Sequence, residues 1–188
     1  GYAPGAEEFA ALSLVITSKG AYFLADTEVR TEPTAAEIAE MAVLAATHVR
    51  RFGLEPKIAL LSHSDFGSSD SKSARKMRAA TAHLTAHHPE LEVDGEMHGD
   101  TALDPMLRER VFPHARLQGR ANVLIMPTLD AANITYQLIK GMADALPVGP
   151  ILMGAAKPAH ILSPSVTARG IVNMTAVAVV EAQERSVL

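Results

Sequence analysis

Short apolar runs alternate along this chain with longer stretches of helical period, and that alternation constrains the fold more than any other feature. Lys57–Leu61 (KIALL), Ala121–Met126 (ANVLIM) and Val148–Met153 have the length and the continuous apolar character of buried strands. Ala10–Thr17 and Ala21–Ala25 read as two further strands around the turn Ser18-Lys19-Gly20, and Leu91–Met97 alternates as a strand does. Between the runs, Thr34–Arg51, Ser71–His88, Leu103–Phe112, Asp130–Ala145 and Pro164–Gln183 read as helices. Strands interleaved with helices predict an α/β fold with three layers, a mostly parallel sheet covered on both faces.

The helix ends carry local signals. Thr34 is placed to cap the first turn of the first helical segment, Glu37 completes a capping box, and Gly53 stands where a left-handed residue closes a helix. Ile38, Met41, Ala42, Ala45 and Val49 make its core face. Asp130 is the expected cap of the next-to-last helix, with Ile134, Leu138, Ile139 and Met142 turned to the core. Ser163 is the expected cap of the last, with Pro164 in its first turn.

Composition removes several function classes. The 188 residues include no cysteine, which excludes disulfides, thiolate zinc sites and iron–sulfur clusters. Seventeen basic against twenty-one acidic residues leave a net charge of −4, so there is no overall basic footprint for nucleic acid. Aromatics are 4% with no Trp, which weakens any base-stacking surface. No apolar run approaches the roughly 18 residues of a membrane helix. Nothing resembles a signal peptide, so the expectation is a cytoplasmic protein, and the opening at Gly1 rather than Met fits a segment of something longer.

On sheets of this kind, ligands bind beyond the carboxyl ends of the strands. Three junctions qualify. The loop Ser62–Ser69 is rich in hydroxyls, and its backbone N–H groups can cradle a phosphate or a phosphopantetheine carbonyl; the alternative is a turn with Gly67 at positive φ and serines capping the next helix. It has neither the dinucleotide nor the Walker glycine pattern. Asp130 and Asn133 flank the start of a helix, where Asp130 can equally be a plain cap. Ser163 can donate to an acyl or phosphoryl oxygen or only cap the last helix, and no His is placed by sequence to activate it. Lys72, Arg75, Lys76 and Arg78 form a basic cluster on one helix, suited to an anionic nucleotide or to plain solvent. His83 and His87 share a helical face at metal-ligand spacing, but no Glu adjoins His83 and no third ligand is apparent.

At these junctions the sequence resembles the phosphate acetyltransferases. The runs that carry the likeness are Ala121–Asn133, Val148–Pro158, Ile161-Leu162-Ser163 with Ile171–Ala176, Leu61–Ser64 with Gly67-Ser68, and Asp26 before Pro33-Thr34-Ala35. His98–Leu107 and Ile161–Gly170 resemble the acetyltransferase-like C-terminal domain of multimodular NADP-dependent malic enzymes. The resemblance implies an isocitrate/isopropylmalate dehydrogenase-like architecture of two α/β subdomains with a cleft between them. Residues 1–158 then make the second subdomain, and 159–188 make a C-terminal helix returning to a first subdomain that is mostly absent. It also implies a homodimer paired through this subdomain.

Departures from the family pattern decide the expected function. In active acetyltransferases the Leu-Ser before the last helix is followed by Arg-Gly-Cys-Ser, and an Asp follows within two turns. The resemblance assigns that Arg to the acetyl phosphate, the Asp to the coenzyme A thiol as base, and the Ser to the developing negative charge. Here Ser163 matches the Ser, while Pro164, Val166 and Gly170 stand at the Arg, Cys and Asp positions. Loss of a positioned base costs about 10²–10⁴ in rate, and loss of an anion-binding donor adds a similar factor. The expectation is therefore a domain with no catalytic residues and no metal. It binds acetyl coenzyme A as an effector through Ser62, Ser64, Gly67, Ser68, Asp130, Asn133, Lys157 and Ser163. An upstream malic enzyme domain holds NADP and a divalent metal. A working phosphate acetyltransferase and a purely structural dimerisation module are the alternatives.

Overall fold

The computed structural model describes residues 1–164 and 166–185. Strands β1 (Ala10–Thr17) and β2 (Gly20–Ala25) form a hairpin with Thr17 opposite Gly20. The Thr17 hydroxyl closes the turn by accepting from the Lys19 N–H and donating to the Gly20 carbonyl, both at 3.1 Å. Gly20 sits at φ +134°, a conformation that a side chain resists.

The remaining elements follow in the expected order. They are α1 (Ala35–Arg51), β3 (Lys57–Leu61), α2 (Lys72–His87), β4 (Glu92–Met97), α3 (Gly99–Leu103), α4 (Pro105–Val111), β5 (Val123–Ile125), α5 (Leu129–Met142), β6 (Leu146–Met153) and α6 (Ala168–Arg185). The capping box is formed: the Glu37 N–H reaches the Thr34 hydroxyl at 3.3 Å, and the Thr34 N–H reaches the Glu37 carboxylate at 2.7 Å. Those bonds hold the Glu37 carboxyl below its ordinary pKa.

The sheet runs β4-β3-β5-β2-β1-β6 and is mixed. β2, β5, β3 and β4 pair in parallel, whereas β1 is antiparallel to both β2 and β6. This corrects the mostly parallel expectation. The cause is the two-residue turn after Thr17, since a chain that reverses so tightly can only return antiparallel.

Each face of the sheet has its own core. On one, Ile38, Met41 and Val49 of α1, Met77 and Leu84 of α2, and Met174 of α6 pack on Leu12, Phe23, Ile58, Leu60 and Ile151. On the other, Ala102 of α3 and Ala132 and Tyr136 of α5 pack on Leu24, Ala59, Leu61 and Leu124. Each fully buried aliphatic side chain contributes about 1.5–3 kcal/mol. Burial pushes the Tyr136 phenol above its usual pKa.

Three helix readings are corrected. The expected helix Leu103–Phe112 is shorter: α4 starts at Pro105 and Leu103 ends α3, because Pro105 disfavours a helical Asp104; Asp104 is extended and its carboxylate accepts from the Met106 and Leu107 N–H groups. Arg108, 1% exposed, then ties this region together by donating to the carbonyls of Thr101, Ala102, Leu117 and Gly119. The α5 cap is Thr128, which accepts from the Ala131 N–H at 3.2 Å, and Asp130 is an exposed first-turn residue. Ile134, Leu138 and Met142 face outward, at 58%, 55% and 83% exposure. The rotation of α5 is set by Asn133, whose amide donates to the Thr27 carbonyl at 3.1 Å and turns Ala132 and Tyr136 inward. Finally, α6 begins at Ala168 rather than Pro164, and Thr167 accepts from the Gly170 N–H at 3.1 Å. Ser163 lies in the preceding turn, where its carbonyl accepts from Val166. No helix among the described residues is long and apolar enough to cross a membrane.

Candidate ligand-binding site

The carboxyl ends of β2, β5, β3 and β4 lie side by side, so the loops that leave them meet along one edge of the sheet. Asp26 closes the first loop. It is 2% exposed and accepts N–H bonds from Ala11, Glu28, Val29 and Arg30 at 2.9–3.1 Å. A carboxylate so occupied organises backbone rather than meeting a ligand.

The Ser62–Ser69 loop is folded onto Glu96 of β4. Ser64 is fully buried; its hydroxyl donates to Glu96 Oε1 at 2.7 Å and accepts from the Ser69 N–H at 2.9 Å. The Gly67 N–H and Arg78 each reach the same oxygen at 2.9 Å. Gly67 has φ +92°, as the turn alternative requires. The Ser62 hydroxyl accepts from Ser64, and the Ser68 hydroxyl accepts from Asp65. The Ser64 hydroxyl and the Gly67 N–H are therefore engaged within the loop; exposed Ser68 and half-buried Ser62 keep a face toward solvent.

Glu96 is the residue that the loop's pattern did not announce. Its signal was present in β4, where Glu92, Asp94 and Glu96 alternate with Val93, Gly95 and Met97. The acidic face of this edge strand anchors two loops: Glu92 accepts from the Gln118 N–H and Asp94 from the Leu117 N–H in one, and Glu96 accepts from the Ser62–Ser69 loop. Beside it, the Asp65 carboxylate holds His98 through ring Nδ1 and backbone N–H, both at 2.8 Å.

The expected site residues do not converge. Lys157 and Ser163 are exposed beyond β6, while Ser62–Ser68 follow β3. β3 and β6 are four strand steps apart, roughly 19 Å at about 4.8 Å per step. Asp130 and Asn133 lie between, and Asn133 is committed to Thr27. At the start of α6, Pro164 offers neither charge nor a backbone donor. A Cβ added to Gly170 would stand 2.8 Å from Val166 Cγ2, so that methyl would have to shift to admit it. His83 and His87 stack with ring centroids 4.2 Å apart, and among the described residues no group of three His, Asp or Glu is placed to hold a metal.

The basic cluster divides. Arg78 turns to Glu96 and Asp70, whereas Lys72, Arg75 and Lys76 line a cleft of about 860 Å³ between the N-terminal ends of α1 and α2, with Thr34 and Thr128 on its rim. Lys76 Nζ is fixed there by the Pro127 carbonyl at 2.7 Å.

Under α6 lies a second charged group. Arg51 of α1 reaches Glu181 at 3.3 Å and Glu184 at 2.8 Å. His160, its side chain 5% exposed, stands 3.5 Å from Glu181 and accepts the Leu152 N–H at Nδ1. Burial lowers the His160 pKa below the ordinary imidazole value, Glu181 opposes the shift and Arg51 adds to it.

A family model for phosphate acetyl/butaryl transferase matches residues 1–179. The NAD-dependent malic enzyme of Rhizobium meliloti (strain 1021) is 58% identical over 177 residues, covering 94% of this chain and 23% of that protein. The NADP-dependent malic enzyme of Escherichia coli (strain K12) is 50% identical over 184 residues, covering 97% and 24%. Among solved structures, a phosphotransacetylase from Streptococcus pyogenes superimposes with TM-score 0.92 at 32% identity, covering 97% of this chain and 56% of that one. The chain thus spans about a quarter of these curated relatives.

Proposed function

The chain belongs to the phosphate acetyl/butaryl transferase family, and on that premise we propose that it is an acetyl-coenzyme-A-binding regulatory domain of a malic enzyme, degenerate for acetyl transfer. The observation that carries the reading is the start of α6. Pro164 and Gly170 replace the arginine and aspartate that the family pattern requires, and a Cβ at position 170 would press on Val166 Cγ2 at 2.8 Å. A pocket so altered keeps its shape for a thioester while losing the anion-binding guanidinium and the base.

Residues 1–158 act as the second subdomain, and α6 with the segment before it bridges to a first subdomain. The apolar surface of α6 at Ile171, Val172, Val179 and Val180 supports that bridging role. The outward Ile134, Leu138 and Met142 of α5 support pairing of two copies through this subdomain. The parent enzyme oxidatively decarboxylates malate to pyruvate with a nicotinamide cofactor and a divalent metal, NADP being the expected cofactor. Both belong to the upstream domain. Pyruvate feeds acetyl coenzyme A, so binding here closes a feedback loop. For that, the effector must prefer one quaternary state, because equal affinity for both shifts nothing.

Ser62, Ser68, Lys157 and Ser163 remain the contact residues open to solvent, with Gly67 and Asp130 beside them. Retention of Ser163 in a chain so similar to a phosphotransacetylase favours one rival, a working acetyltransferase. Titration calorimetry of acetyl coenzyme A into the full-length protein tests the binding claim. Saturable binding at one site per chain is expected; no heat at millimolar ligand contradicts it and favours an empty structural module.

A further inference from the structure

β6 ends the sheet on one side, with β1 on its inner flank and, among the described residues, no strand beyond it. An edge strand of this kind offers bare backbone N–H groups to any other chain. Here the edge is blunted. Pro147 and Pro150 carry no N–H. Ala11 stands opposite Leu152 and directs its N–H to Asp26 and its carbonyl to Thr27, so Leu152 turns its own N–H outward. His160 Nδ1 accepts it at 3.2 Å.

His160 reaches back from the segment that joins β6 to α6. Lys157, Ala159, Ile161 and Leu162 of that segment are exposed, whereas the His160 side chain is 5% exposed. The imidazole is thus the inward anchor of an otherwise exposed stretch. β6, α6 and α1 pack around it. β6 presents the Leu152 N–H, and α6 presents Glu181, whose carboxylate lies 3.5 Å from Nε2. α1 presents Arg51, which pairs with Glu181 at 3.3 Å and with Glu184 at 2.8 Å, and His48, whose ring stands 3.1 Å from Arg51.

A backbone N–H can only donate, so Nδ1 of His160 has to be bare, and the neutral ring carries its proton on Nε2, toward Glu181. A second proton can bind only at Nδ1, against the Leu152 N–H. The Leu152 bond and an imidazolium therefore exclude each other. Arg51 already answers the Glu181 charge, which leaves less of it to hold an imidazolium in place.

We propose that His160 is a proton-operated latch on the β6–α6 connection. Neutral, it pins the connection to the edge of β6. Protonated, its ring swings off Leu152, residues 157–163 come away from the sheet, and the edge is bared. The opening is local, so the sheet and its two cores stay folded. Burial lowers the pKa of the docked ring below 6.5, while a released ring regains the ordinary value. The released form binds the proton first, and opening grows as the pH falls below 6.5. The inference stands whether or not a thioester binds.

Hydrogen–deuterium exchange of the full-length protein tests it, read by mass spectrometry at about pH 7 and about pH 5 and corrected for the intrinsic rate. Peptides across residues 152–163 lose protection at least about threefold at the lower pH, while β3 and β5 keep theirs. His160→Asn keeps an oxygen that can accept from Leu152 but cannot take the proton, so its exchange is the same at both pH values. Equal pH dependence in wild type and His160→Asn overturns the proposal, as does a wild-type segment equally protected at both. Deuterium exchange at the His160 ring carbon reports that residue's own titration and covers a variant that fails to fold. A midpoint below 6.5 that coincides with the opening of 152–163 is expected; a midpoint at or above 6.5, or one apart from the opening, sinks the latch.

Discussion

Thr34 and Glu37 exchange two hydrogen bonds across the first turn of α1, and neither depends on the rest of the fold. Thr34→Ala removes one of them and is expected to cost about 1 kcal/mol, up to about 2. In a chain of 188 residues this lowers the melting temperature by roughly 2–8 °C, whereas Thr34→Ser stays near wild type. An unchanged melting temperature for Thr34→Ala contradicts the cap. Such a box is legible in sequence because all its parts lie three residues apart. The α5 cap was not, because Thr128 and Asp130 are both capping residues two positions apart. Which of them caps is decided by where β5 ends, and that depends on β2 and β3. Ser64 shows the same limit on the site. Its hydroxyl reads as a ligand donor until β4, thirty-two residues away, brings Glu96 beneath it.

At the scale of elements, helix existence followed from period and helix rotation did not. α5 offers two apolar faces, and Asn133 on Thr27, a contact across 106 residues, selects the smaller one for the core. The late start of α6 has a comparable cause, since the turn of Ser163–Val166 and the Thr167 hydroxyl end the loop four residues beyond Pro164. The docking of α6 yields a pH prediction. His160 is held neutral by burial and uses Nδ1 to accept from Leu152. Its folded pKa lies below 6.5, so the unfolded chain takes up the proton first as the medium acidifies. Stability is full above that ordinary value and falls as the pH descends from it through the lowered folded value. His160→Gln removes this component, so thermal unfolding between pH 7 and pH 5 should slope less steeply in the variant. Identical slopes contradict a neutral buried His160.

For the whole molecule, alternation of strands and helices was enough to predict two covered faces, and both cores are there. Strand order was not legible, because β1 and β6 pair through contacts that no local pattern encodes. The same order spreads the expected site residues along the edge of the sheet rather than gathering them. Family membership and the departures at Pro164 and Gly170 then carry the proposed function, in which the fold binds a thioester without its acid–base and anion-binding parts. Its most direct test is thioester formation from acetyl phosphate and coenzyme A by the full-length protein, measured beside an active phosphate acetyltransferase. Turnover at least about 10⁴-fold below the active enzyme is expected, the combined loss of base and guanidinium. Turnover within about tenfold of it contradicts the account.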